Sequence, residues 1–141
     1  MHIARLSLLL VVTVCLSEGC ASLNTVQRSE LRAMRSTGVA VEEKKPVVGA
    51  ALGLLPGGGS FYTRQWGLGV VDVLLWPTSI LWDPIAGYQG AEVINYDISR
   101  DHAKKTRARE LAALEQQLVQ QQIDQVAFVE RRRLIEERFE F

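Results

Sequence analysis

Two cysteines and two histidines are all that this chain of 141 residues contains, and the scarcity removes whole classes of chemistry. Cys15 lies inside an apolar N-terminal run and Cys20 just after it, so neither a disulfide framework nor a Cys/His metal set can be assembled. Beyond that run the single histidine is His102, in a charged stretch, and no Ser-His-Asp set accompanies it. No catalytic residue, cofactor site or metal site is therefore assigned. An excess of one charge is missing as well. Sixteen basic residues balance sixteen acidic ones, so no overall field recruits nucleic acid. Long apolar runs are also missing. Residues 6–16 and 46–55 each fall short of the ~20 residues a membrane-crossing helix needs. At the helical rise the second run reaches only about 15 Å. Charge is nearly absent from residues 46–90, while residues 100–141 are dense in Arg, Lys, Glu and Gln. Glycine and proline are absent from residues 99–141, a composition that favours helix.

What is present begins with MHIARLSLLLVVTVCLSEGC. Arg5, the short apolar core and the small residues after it have the anatomy of a secretory signal peptide over residues 1–19. The stretch Leu16-Ser17-Glu18-Gly19-Cys20 resembles the lipobox of bacterial lipoproteins, which implies acylation of Cys20 as the mature N-terminus. Ordinary cleavage after Ser17-x-Gly19 is the other reading, and lipidation is preferred because Cys20 falls at the cut site. Residues 20–45 then form a linker. Leu23, Val26, Leu31 and Met34 predict a short helix in it, stopped at Thr37-Gly38. Alternation at Val39 and Val41, and again over Ile94–Ile98, predicts two short strands flanking the apolar segment as a small β ladder.

Residues 46–90 read as a hydrophobic helical hairpin. Gly49 and Gly53, four apart, allow close helix approach. Pro56, Gly57, Gly58 and Gly59 form the turn, and Pro77 breaks the second arm. Phe61, Tyr62, Trp66, Trp76, Trp82 and Tyr88 suit a water–lipid boundary. Asp72, inside the second arm, is expected to reach a headgroup, Arg64 or nearby backbone. This segment resembles a TM2 domain, a two-helix membrane hairpin, through Lys44-Lys45, the glycine loop, Phe61-Tyr62, Gly67, Gly69 and Asp83. It departs from that pattern at Ser60, where an Arg is usual, and at Arg64, where a Gly is common. The resemblance covers about 45 residues and implies a fold and a membrane location.

Residues 91–141 read as a short strand and a charged helical tail. Leu111, Leu114 and Leu118 start a seam that Gln120-Gln121-Gln122 interrupts. Asp124 then offers an N-cap to a second helix carrying Phe128, Leu134 and Ile135. The spacing is similar to the SHOCT motif, a small two-helix oligomerisation element; a single coiled-coil helix is the alternative. Leu111, Leu114, Leu118, Phe128 and Ile135 are the candidate interaction residues.

The chain is thus expected to be mainly α, a hydrophobic helical hairpin plus C-terminal charged helices. Its expected role is that of a non-enzymatic envelope lipoprotein which holds a helical interaction module at a membrane. Its partners would be membrane lipid and a protein, or a second copy bound through the C-terminal helices. The absence of Asp after Cys20 favours the outer membrane, facing the periplasm. Two alternatives are an inner-membrane hairpin that oligomerises around Gly49 and Gly53, and an accessory subunit using Asp72 and Asp83.

Overall fold

A computed structural model describes residues 22–141, so the signal segment and Cys20 lie outside the described residues. Among the described residues there are six α-helices, α1 (Thr25–Ser36), α2 (Pro46–Leu52), α3 (Gly58–Tyr62), α4 (Trp66–Leu74), α5 (Asp83–Val119) and α6 (Gln125–Arg138), with a 3-10 turn at Thr78–Leu81. They divide into two compact units. One comprises Lys44–Ile94 with Ser22 and Leu23; the other comprises Asn24–Glu43 and Asn95–Phe141.

In the first unit the apolar arms are shorter and more broken than a simple hairpin. Pro46 opens α2, where its missing N–H costs nothing. The turn proper needs left-handed backbone at Gly57 alone, with φ of 68°. Gly58 and Gly59 instead begin α3, so the expected glycine loop is half helix. A side chain on Gly58 fails for a different reason, since its Cβ would lie 2.2 Å from the Leu52 carbonyl oxygen. The second arm stops before Pro77, as expected from a residue that cannot donate to the helix ladder: α4 ends at Leu74 and the chain resumes in the 3-10 turn. No helix among the described residues is long and apolar enough to cross a membrane.

Glycines let three backbones touch in this unit. A Cβ on Gly49 would lie 2.3 Å from the Gly87 carbonyl oxygen, so α2 and the start of α5 meet without side chains between them. Gly53 likewise abuts the backbone of Pro84. The Gly49 and Gly53 face expected to serve oligomerisation is therefore occupied within the chain.

Arg64 has φ of 64°, a left-handed conformation that costs a side-chain-bearing residue about 1 kcal/mol. Arg64→Gly is expected to raise stability by up to about 1 kcal/mol, read as a higher Tm for the detergent-solubilised chain.

In the second unit α1 starts with a reciprocal cap. Asn24 Oδ1 accepts from the Gln27 amide at 2.8 Å, and Gln27 Oε1 accepts from the Asn24 amide at 3.0 Å. Leu31 and Met34 are buried, while Val26 is exposed because it is five residues from Leu31, off the helical stripe. The helix ends at Thr37-Gly38, the stop read from the sequence, with Gly38 at φ of 71°.

The β ladder is not there. Ile94–Ile98 lie within α5, where Ala91, Asn95, Ser99 and Ala103 repeat every four residues as one buried face. Five alternating residues did not distinguish the two periods, and with no glycine or proline after Gly90 the helix runs through. Val39 and Val41 pair with no strand among the described residues. The Val41 amide donates to Ser99 Oγ at 2.9 Å, and that hydroxyl donates back to the Val41 carbonyl at 3.2 Å.

The tail folds as an αα-hairpin rather than one unbroken helix. The glutamine run ends α5, with Gln121 at φ of 55°, and Asp124 Oδ1 caps α6 by accepting from the Ala127 amide at 2.7 Å. Arg138 reaches back to Glu110 at 3.1 Å. Spin labels at residues 110 and 136 are therefore expected to lie within short-range coupling distance in pulsed EPR. An unbroken helix would place them about 39 Å apart.

Candidate functional site

The first unit is polar inside and apolar outside. Ser60, Asp72, Asp83 and Ser79 are fully or almost fully buried, whereas Val47, Leu54, Trp66, Leu74 and Leu81 are each more than half exposed. Folded domains in water sort these residue types the other way.

Three helices deliver the polar centre. Asp83, opening α5 ahead of Pro84, receives the amides that start α3: Gly59 donates to Oδ2 at 3.1 Å and Ser60 to Oδ1 at 2.9 Å. Asp72 projects from α4, and its Oδ1 accepts from the Trp82 indole N–H at 2.7 Å. Ser60 Oγ stands between the two carboxyls, 2.8 Å from Asp72 Oδ2 and 2.7 Å from Asp83 Oδ1. Burial pushes the Asp83 carboxyl above its ordinary range and the nearby Asp72 adds to this, while hydrogen bonds from Ser60 and Gly59 pull the other way.

This corrects the expected position of Asp72, which meets Ser60 and Trp82 rather than a headgroup or Arg64. The sequence offered no signal for the pairing, because positions 60, 72 and 83 are joined only by the fold. Thr63, on the far side of the turn, is also an inside residue. It is 5% exposed, and its hydroxyl donates to the Gly59 carbonyl at 3.1 Å and accepts from Gln65 Nε2 at 3.0 Å.

The aromatic residues divide. Trp66, Trp76 and Tyr88 are exposed. Trp82 holds Asp72, Phe61 packs against Trp66 with ring centres 5.7 Å apart, and Tyr62 accepts the Lys45 amide at 3.0 Å under the Lys44 ammonium. These three are spent inside the unit.

The candidate interaction residues lie in the C-terminal hairpin. Leu114 and Ile135 are buried and line one groove of about 350 Å³ with Glu110, Gln117, Arg131 and Arg138. Leu111, Leu118 and Phe128 are half-buried. The seam thus serves first to close the hairpin, leaving Val119, Val126, Val129 and Leu134 among its exposed apolar residues. Among the described residues no group of three His, Cys, Asp or Glu side chains is placed to hold a metal ion, and His102 is exposed.

No protein-family model, curated protein or solved structure matches the chain.

Proposed function

We propose that this chain is a non-enzymatic envelope lipoprotein, anchored through an acylated Cys20, whose glycine-packed unit sits in one membrane leaflet as a TM2-like element. Its C-terminal αα-hairpin, SHOCT-like in spacing, is the module that engages a protein partner or a second copy. The observation that carries this reading is the reversed sorting of the first unit. A surface bearing Val47, Leu54, Leu55, Val70, Leu74, Trp76, Leu81 and Ile85, all more than half exposed, is unfavourable in water and suited to hydrocarbon. Helix lengths agree with a leaflet. At the standard rise the seven residues of α2 and nine of α4 reach about 10 and 14 Å, against roughly 15 Å for half the hydrocarbon core. Neither alternative gains support: the Gly49 and Gly53 face is occupied by α5, and Asp72 and Asp83 are wholly buried.

Fractionation tests the reading. Cys20→Ala is expected to abolish palmitate labelling yet leave the exported chain membrane-bound after a salt wash, because two anchors act in parallel. Adding Leu74→Lys and Leu81→Lys, both on the exposed face, is expected to release it. A Cys20→Ala chain that is wholly soluble and monomeric would overturn the membrane role of this unit. Unchanged labelling would overturn the lipid anchor.

A further inference from the structure

The hydroxyl of Ser60 owns one proton, yet its oxygen makes two short contacts with carboxyl oxygens, at 2.8 Å to Asp72 and 2.7 Å to Asp83. Both are ordinary O–H···O separations. A serine donates once and otherwise accepts. One contact is the serine's donation; the other requires a proton held by a carboxyl, since two bare oxygens at that distance repel. Asp83 accepts from two backbone amides as well as the hydroxyl, so each of its oxygens already has a donor. Asp72 accepts from Trp82 at Oδ1 only, and its Oδ2 is the oxygen that faces Ser60.

We propose that one proton held by the Asp72–Asp83 pair, with Ser60 Oγ hydrogen-bonded to both carboxyls, forms a pH-sensitive lock joining α3, α4 and α5. The lock goes beyond the membrane role and stands whether or not lipid surrounds the unit. Loss of that proton leaves two negative charges bridged by one hydroxyl in a site closed to water, a repulsion that separates α4 from α3 and α5.

The charged groups around the lock are few. α2 and the 3-10 turn carry no titratable side chain. α3 carries Tyr62, engaged with the Lys45 amide. α4 carries Asp72 alone, and α5 contributes Asp83 and, further along, Tyr88 and Glu92. Lys44, Lys45, Arg64 and Glu92 are exposed or half-exposed, so Asp72 and Asp83 are the buried charges of the unit.

The folded pair keeps a proton that an unfolded chain releases in the ordinary carboxylate range. Stability is therefore full below that range and falls as pH rises through the range where the folded pair gives the proton up.

The test uses the full chain in detergent micelles. Wild-type Tm is expected to fall by about 5 °C or more from neutral to alkaline pH, beyond any fall in Asp72→Asn. In that variant an amide N–H donates permanently to Ser60 Oγ while its oxygen still accepts from Trp82, so this component of the pH dependence disappears. Asp83→Asn places an NH₂ group against backbone N–H donors, and its Tm is expected to be lower at every pH. Infrared spectra of the wild type at neutral pH are expected to show the carbonyl band of a protonated carboxylic acid, shifted by deuteration and absent from Asp72→Asn. Absence of that band from the wild type overturns the proposal even if Asp72→Asn fails to fold. So does a pH dependence flattened by Asp83→Asn and retained by Asp72→Asn.

Discussion

Gly49→Val is expected to cost the first unit about 3 kcal/mol or more, the upper range for overpacking a close contact. The valine Cβ would begin 2.3 Å from the Gly87 carbonyl oxygen and 2.8 Å from its carbon, both backbone atoms that no rotamer change can move aside. Gly67→Ala is the control, because a Cβ at Gly67 meets nothing within 4 Å. There the expected change is a gain of roughly 0.5 kcal/mol from helix propensity. Thermal melts of the detergent-solubilised chain, followed by circular dichroism, measure both. A glycine face used between copies behaves differently: Gly49→Val would then lower the oligomer mass and leave the monomer's melting unchanged. That outcome would contradict the packing of α2 on α5.

Asp83→Ala carries the second large effect, a loss of about 3 kcal/mol. The side chain is wholly buried and accepts from the Gly59 amide, the Ser60 amide and the Ser60 hydroxyl. Alanine leaves the two amides facing a closed space, with Asp72 alone to take the hydroxyl, and each unsatisfied buried group costs about 1–3 kcal/mol before relaxation. α5 also loses the acid in its first turn. Hydrogen exchange localises the effect: the amides of Gly59 and Ser60 are expected to lose protection first. Asp101→Ala, exposed on the same helix, is expected to stay within about 0.5 kcal/mol. Equal effects at the two positions would show that Asp83 is not the keystone of the polar centre.

Local physics made several elements legible from the chain alone. Thr37-Gly38 ends α1, Pro77 lies beyond the end of α4, and Asp124 after the glutamines starts α6, because each residue acts on backbone within one turn of itself. The absence of glycine and proline from residues 99–141 likewise announced a helical tail.

Long-range pairing was decided by the tertiary structure. Alternation over Ile94–Ile98 looked like a strand until burial of Asn95, Ser99 and Ala103 fixed the four-residue period. Gly49 and Gly53 announced close helix approach without saying to what, and the answer, Gly87 and Pro84, lies more than thirty residues away. Ser60, Asp72 and Asp83 each look unremarkable in sequence, a small residue and two acids on separate segments. Their union depends on three helices converging, and a hydrogen bond between side chains 12 or 23 residues apart leaves no periodic trace in composition. Hydropathy marks residues 46–90 as apolar, but which face turns outward is a property of packing. Glycine contacts bring the backbones so close that only small and polar groups fit between them, and the large apolar side chains are left on the outside.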